Sequence, residues 1–181
     1  KSYNNYLKQK YGGKTWRLPL ARNEECPNRL LGRNGCSFCD GSSFLPYYLT
    51  PGDDIDTQLI KGRDFFSARL GVDRFLGYFQ SNSNTYGSRM ELRADYRRVL
   101  EKEFICGLVI STRPDNIDGE IVDIIERLSV EFDKEVWIEL GLQSSDDKTL
   151  KLIQRNHTYS DFVNAAALIK KGGIIKLGVH M

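Results

Sequence analysis

The chain has 181 residues, 26 of them basic and 24 acidic, and 28% are charged against 40% hydrophobic, a balance that excludes a disordered chain. A net charge of +2 is too small to point to nucleic acid or an anionic membrane as the partner. A full eight-unit β/α barrel takes about 250 residues, so this length admits about five or six such units; the longest nearly apolar run, Phe104–Ile110, is far shorter than a bilayer span.

The N-terminal stretch Lys1–Lys8 has no apolar signal core and no initiator Met, so a trimmed, cytoplasmic chain with no membrane partner is expected. Lys14–Leu20 reads as a first strand, β1. Asp53 and Asp54 open a helix carrying Ile55, Leu59 and Phe66, which ends near Gly71. Asp73–Gln80, rich in aromatics, is the next strand, β2. Ser88–Lys102 sets Leu92, Tyr96, Val99 and Leu100 on one helical face. Phe104–Thr112 is a short apolar run of the kind buried parallel strands show, β3. Asp118 begins a helix with Ile121, Ile124, Ile125 and Leu128 on one stripe. Glu135–Gln143 is β4, and helices follow over Asp146–Arg155 and Tyr159–Lys171, closed by Gly172 and Gly173. Ile174–Met181 is β5. Regular βα alternation predicts a parallel sheet with right-handed crossovers, as an open or partial barrel.

Three of the four cysteines, Cys26, Cys36 and Cys39, lie in a C-x9-C-x2-C loop with Gly32 and Gly35. Glycines let such a loop turn tightly around one metal centre. A disulfide framework does not suit a cytosolic chain of this size. Structural zinc wants four ligands. Cys106 sits roughly 20 Å from the C-terminal end of β3, by strand rise, whereas sites in parallel β/α folds gather at those ends. It reads as a small core hydrophobe. His157 and His180 remain as zinc partners without the close pairing of zinc ribbons. Three cysteines without a clear fourth favour an iron–sulfur cluster with one open iron.

A second signal comes from strand alternation, which puts Trp137, Glu139, Gly141 and Gln143 on one face of β4. Gly107, Val109, Ser111 and Arg113 share a face of β3, and Lys176, Gly178 and His180 share one of β5. A carboxylate inside a parallel strand needs partners, and Arg113 or Lys176 is the scaffolding choice for Glu139. With Gln80–Asn84 closing β2, polar groups collect at the C-terminal ends of four strands, the rim from which a loop after β1 also emerges. The glycines at 107, 141 and 178 are expected to leave interior room for a ligand.

The C-x9-C-x2-C loop, with Phe38 directly before its last cysteine, resembles the cluster loop of radical S-adenosylmethionine (SAM) enzymes. Its long first spacing is similar to the elongator-type tRNA-modifying subfamily and to the YhcC-like family. Further YhcC-like segments follow in family order: Tyr3–Lys8, Cys26–Arg29, Tyr78–Tyr86, Ser111–Asp115, Trp137–Gln143 and Arg155–Thr158. The resemblance implies a radical SAM core domain over 1–181 with its cluster loop at 26–39. The implied fold is α/β, a partial (β/α)6 TIM-like barrel with about five parallel strands present and the chain ending before the sixth, so activity is expected of a longer parent chain and not necessarily of these 181 residues.

It further implies that Cys26, Cys36 and Cys39 hold a [4Fe–4S] cluster whose open iron is chelated by SAM. Gln80, Ser81 and Asn82 occupy the place where related enzymes bind the methionine amino group. Ser111, Glu139 and Gln143 are placed for the cofactor nucleoside or the substrate. Arg155 resembles an arginine that pairs with the cofactor carboxylate, a task for its bidentate fork; it reads equally as a helix-end cation. His157 reads as a cap or surface residue, and His180 as an inward-facing core histidine. The implied reaction is oxidoreductive. An external reductant supplies one electron, SAM is cleaved to a 5′-deoxyadenosyl radical, and that radical abstracts hydrogen from a small molecule or RNA. Arg22, Arg29 and Arg33, with the tRNA-modifying kinship, would serve an RNA substrate. The rival readings are a non-catalytic zinc module binding RNA or protein, and an iron–sulfur electron carrier.

Overall fold

The computed structural model describes residues 3–22, 24–30, 34–40 and 46–181; Gly32 and Arg33 of the cysteine loop lie outside the described residues. Five parallel strands form one sheet in the order β1-β2-β3-β4-β5: β1 Thr15–Leu20, β2 Arg74–Phe79, β3 Ile105–Thr112, β4 Glu135–Gly141 and β5 Lys176–His180. The sheet is open, with β1 and β5 at its edges, as in a partial barrel. The edge position explains why β1 tolerates Pro19, which has no amide to give to a second neighbour.

Helices follow the strands: α2 Ile55–Leu70, α3 Arg89–Leu100, α4 Gly119–Phe132, the short α5 Asp147–Leu152 and α6 Tyr159–Gly172. Their ends carry the expected chemistry. Asp54 accepts from the Thr57 amide at 2.7 Å, Asp118 from the Ile121 amide at 2.9 Å, and Thr158 with Asp161 forms a capping box. Gly71 and Gly173 end α2 and α6 in the left-handed region. No helix among the described residues is long and apolar enough to cross a membrane.

The main core lies between the sheet and its outer helices. Leu92, Tyr96, Val99 and Leu100 of α3 and Ile121, Ile125 and Leu128 of α4 pack there against Phe75, Phe79, Leu108, Ile110, Ile138 and Leu140. Strand and helix approach most closely at Gly77, where an added Cβ would lie 2.4 Å from Val99 Cγ1.

One element was not anticipated. Tyr3–Tyr11 forms a helix, α1, that covers the inner face of the sheet. Its Leu7 is buried against Leu76, Tyr78 and Val109, with Tyr3, Tyr11, Cys106 and Trp137 around them. Glu135, at the start of β4, anchors it by accepting from Tyr6 Oη at 3.1 Å and from Lys10 Nζ. Cys106 is therefore partly buried beneath α1, as the second residue of β3.

Candidate functional site

At the C-terminal rim of the sheet lies a cavity of about 200 Å³. All three loop cysteines line it, with Gln80, Ser81 and Asn82 after β2, Ser111 on β3, Glu139 on β4, Gln143 just after β4, and Arg155. The structure thus brings together every residue singled out for cluster or cofactor, from five separate stretches of chain. Arg29, Phe38, Tyr78, Arg113 and His180 line it as well.

The cysteine loop is seated on the segment between α5 and α6. The Ser37 amide donates to Ile153 O at 3.0 Å, and Asn28 Nδ2 donates to Gln154 O at 2.9 Å. Asn156 Nδ2 donates back to Asn28 Oδ1 at 2.6 Å. Gln154 and Asn156 both have a φ of +55°, in the left-handed region that asparagine and few other side-chain-bearing residues tolerate. Residues 153–157 are thus a cradle for the loop, and Asn28 and Asn156 are the site residues that motif spacing does not single out.

All three loop cysteines are free thiols. Cys36 Sγ accepts from Asn28 Nδ2 at 3.3 Å and from Arg155 Nη1 at 3.4 Å. Burial raises the Cys26 thiol above its ordinary value, against the opposing pull of the Asn28 amide and of the Arg113 and Arg155 charges. Among the described residues, no three Cys, His, Asp or Glu side chains converge closely enough for a single metal ion. A cubane cluster draws its thiolates from separate corners, so three cysteines spread around one cavity wall suit it. The donor set and the buried guanidinium groups beside it fit an anionic iron–sulfur group.

Arg155 is not a helix-end cation. It is buried, with Nε donating to His157 Nε2 at 3.0 Å, Nη2 to Gly141 O at 2.8 Å and Nη1 to Cys36. His157 is likewise buried rather than on the surface. Its Nε2 accepts from Arg155 Nε and also lies 3.2 Å from Gly141 O, and its Nδ1 faces Thr158 O at 3.2 Å. Burial and the Arg155 charge hold this imidazole below its usual pKa, in keeping with a neutral acceptor.

Glu139 is the hub of the inner face, and its partners differ from those expected. Arg17, on β1, meets it through Nη2–Oε1 at 2.6 Å and Nη1–Oε2 at 3.3 Å. His180 Nε2 lies 2.8 Å from Oε2, and Ser111 Oγ donates to Oε2 at 3.3 Å. Arg113 instead pairs with Asp115, and Lys176 is exposed; Arg17 crosses the inner face from β1, and His180 reaches diagonally from the adjacent β5. Burial raises the Glu139 carboxyl, but the Arg17 hydrogen bonds and charge, with His180, hold it below the ordinary range. His180 is no core histidine: half its side chain is exposed at the rim.

The three inner-face glycines do not leave empty room. An added Cβ at Gly107 would lie 2.6 Å from Glu135 O, at Gly141 2.5 Å from Arg155 Nη2, and at Gly178 2.9 Å from Glu139 Cγ. They admit the protein's own arginine, carboxylate and backbone.

The loop after β2 is fixed by an uncharged network. Asn84 Nδ2 lies within hydrogen-bond reach of Phe79 O, Ser81 O and Ser111 O, at 2.8–3.1 Å. The hydroxyls of Ser83 and Thr85 meet Thr112 Oγ1 at 2.9 and 2.6 Å. Asn82, with φ +64°, turns its amide to Glu24 O at 3.0 Å. Two of the three arginines considered for RNA are engaged locally: buried Arg22 donates to Asp95 and Tyr86 O, and Arg29 donates to Cys39 O; Arg33 lies outside the described residues.

Comparison with known proteins adds an independent line. The family model described as the radical SAM superfamily matches residues 26–181. The chain is 32% identical over 170 residues to Protein YhcC of Escherichia coli K12, covering 93% of this chain and 53% of that protein. It is 29% identical over 173 residues to YtqA of Bacillus subtilis, covering 94% and 53%. It spans about half the length of these curated relatives. Among solved structures, the fold is similar to that of the cobalamin-dependent S-adenosylmethionine radical enzyme OxsB with aqua-cobalamin and S-adenosylmethionine bound. That likeness has a TM-score of 0.57 at 15% identity, over 94% of this chain and 24% of OxsB.

Proposed function

The chain belongs to the radical SAM superfamily, and from that premise we propose that its rim cavity holds a [4Fe–4S] cluster on Cys26, Cys36 and Cys39 together with SAM. One observation carries the reading. Three free thiols from a single loop line the same cavity as the polar ends of β2, β3, β4 and β5. When bound, the cluster, reduced by an external electron donor, supplies the electron that cleaves the cofactor's carbon–sulfur bond and yields the radical that takes a hydrogen from substrate.

The chain's own residues bind, orient and exclude water. Asn28 and the 153–157 cradle hold the cysteine loop against the sheet. Ser81 and Gln80 present polar groups toward the place of the methionine amino group, in a loop set by Asn84. Gln143, held at φ +67°, and Ser111 lie beside the cavity for the nucleoside or for substrate. Glu139 acts chiefly by orienting His180 and Ser111, since Arg17 already occupies both its oxygens. Arg155 serves as a clamp between loop and strand through Cys36 and Gly141 O. The reaction class is thus radical hydrogen abstraction, and a tRNA-related substrate rests on kinship with the tRNA-modifying subfamily alone.

Anaerobic reconstitution with iron and sulfide tests the metal assignment. The wild-type chain and Cys106→Ala are expected to gain the visible absorbance of an iron–sulfur cluster, and Cys36→Ala to lose it. Equal uptake by Cys36→Ala, or stoichiometric zinc in anaerobically purified protein, would overturn the assignment.

A further inference from the structure

The cavity wall holds two buried arginines whose situations differ. Arg155 has a partner at each of its three nitrogens. Arg113 has a side chain only 3% exposed, and only Nη2 is engaged, by Asp115 Oδ2 at 2.9 Å and Asn156 O at 3.4 Å. Its Nε and Nη1 are buried without a hydrogen-bond partner. Asp115 is 31% exposed, so solvent screens the carboxylate that is hydrogen-bonded to this guanidinium.

A buried charge left short of partners is costly, and a folded chain keeps one only where something negative offsets it. Arg113 lines the cavity that holds the cysteines. The one other anionic group on that wall, Glu139, is already matched by Arg17. What remains to be matched is the loop's thiolates.

We infer that Arg113 is the buried positive charge that compensates an iron–sulfur cluster held by Cys26, Cys36 and Cys39, and so raises its reduction potential. The inference rests on the proposed function. The sign follows from charge: reduction adds one electron to an already anionic group, and a fixed cation nearby in low dielectric favours the more negative state. It requires no contact, because the field of a buried charge is little screened. Arg113 is a tuning residue.

The test compares wild type, Arg113→Gln and Arg113→Lys after anaerobic reconstitution, by redox titration of the cluster and by denaturant unfolding of the cluster-free chains. At the wild-type midpoint, Arg113→Gln is expected to hold a reduced-to-oxidised ratio about tenfold lower, a shift of about 59 mV for one electron. Arg113→Lys is expected to recover most of it. Cluster-free Arg113→Gln is expected to unfold at the wild-type denaturant concentration or above, since it sheds a buried charge that Asp115 only partly offsets; a merely structural arginine would show the opposite. Cluster loss in Arg113→Gln with retention in Arg113→Lys, both folded, also supports the inference. An unchanged midpoint in Arg113→Gln, or equal effects of Gln and Lys, would overturn it. A wild-type chain that takes up no cluster would overturn the proposed function itself, a result read before any variant is compared.

Discussion

Arg17 on β1 reaches Glu139 on β4 across two intervening strands, with Nη2–Oε1 at 2.6 Å. In a flat sheet those strands would stand roughly 14 Å apart, so the contact draws on the full reach of both long side chains as well as on the curve of the sheet. Tyr3 and Tyr78 hold the guanidinium between their rings, at 5.0 and 4.6 Å from the centroids. Curvature brings the polar inner face together, and this pair is its brace.

Glu139→Ala leaves Arg17 without its carboxylate. Breaking a buried pair costs roughly 3–5 kcal/mol, and the low end applies because Arg17 is 30% exposed. A urea titration measures it.

The same pair predicts an acid limb in stability. The folded-state pKa of Glu139 lies below its unfolded value of about 4.5. Its contribution is therefore present above that pH and is lost as pH falls through the lower folded value. Unfolding midpoints followed from about pH 6 to 3 should fall more steeply in wild type than in Glu139→Gln. Parallel curves would contradict the assignment.

Helix α1 is predicted to be part of the fold and not an appendage. Leu7→Ala, at a side chain 3% exposed, should cost about 2–5 kcal/mol. A loss below roughly 0.5 kcal/mol, the range of surface substitutions, would show that α1 does not seat on the sheet.

Gly107→Ala tests the closeness of β3 and β4. Its Cβ would lie 2.6 Å from a backbone oxygen that cannot swing aside. An overpacking cost of about 1–3 kcal/mol is expected in the cluster-free chain. A neutral substitution would show that the inner face has the free room the glycines first suggest.

Thr112→Val removes the hydroxyl shared by Ser83 and Thr85. Leaving buried polar partners short costs about 1–3 kcal/mol, and the Gln80–Asn84 loop should lose hydrogen-exchange protection with it. Unchanged exchange would place the support of that loop elsewhere.

These residues also show what the chain discloses before it is folded. Strand alternation around Glu139 and the stripes on α3 and α4 are local periodicities, so the sheet and its outer layer are legible directly. The cysteine spacing and the polar strand ends are legible for the same reason, and the structure gathers them on one cavity. The partners of Glu139 are not, because Arg17 meets it across two intervening strands, a relationship no strand encodes alone. Helix α1 did leave a trace, Tyr3, Leu7 and Tyr11 at four-residue steps, but its polar run hides the stripe. Asn28 and Asn156 are invisible to spacing because their role is one loop docking on another. Arg155 and His157 look like helix-end residues until that docking buries them.

The most direct test of the central claim is cofactor cleavage. The full-length protein, reconstituted, is incubated anaerobically with SAM and dithionite, and 5′-deoxyadenosine and methionine are quantified by mass spectrometry. Equal amounts of the two are predicted from wild type and Cys106→Ala, and neither from Cys36→Ala. Cluster-loaded, reduced full-length wild type that forms no 5′-deoxyadenosine would contradict the account.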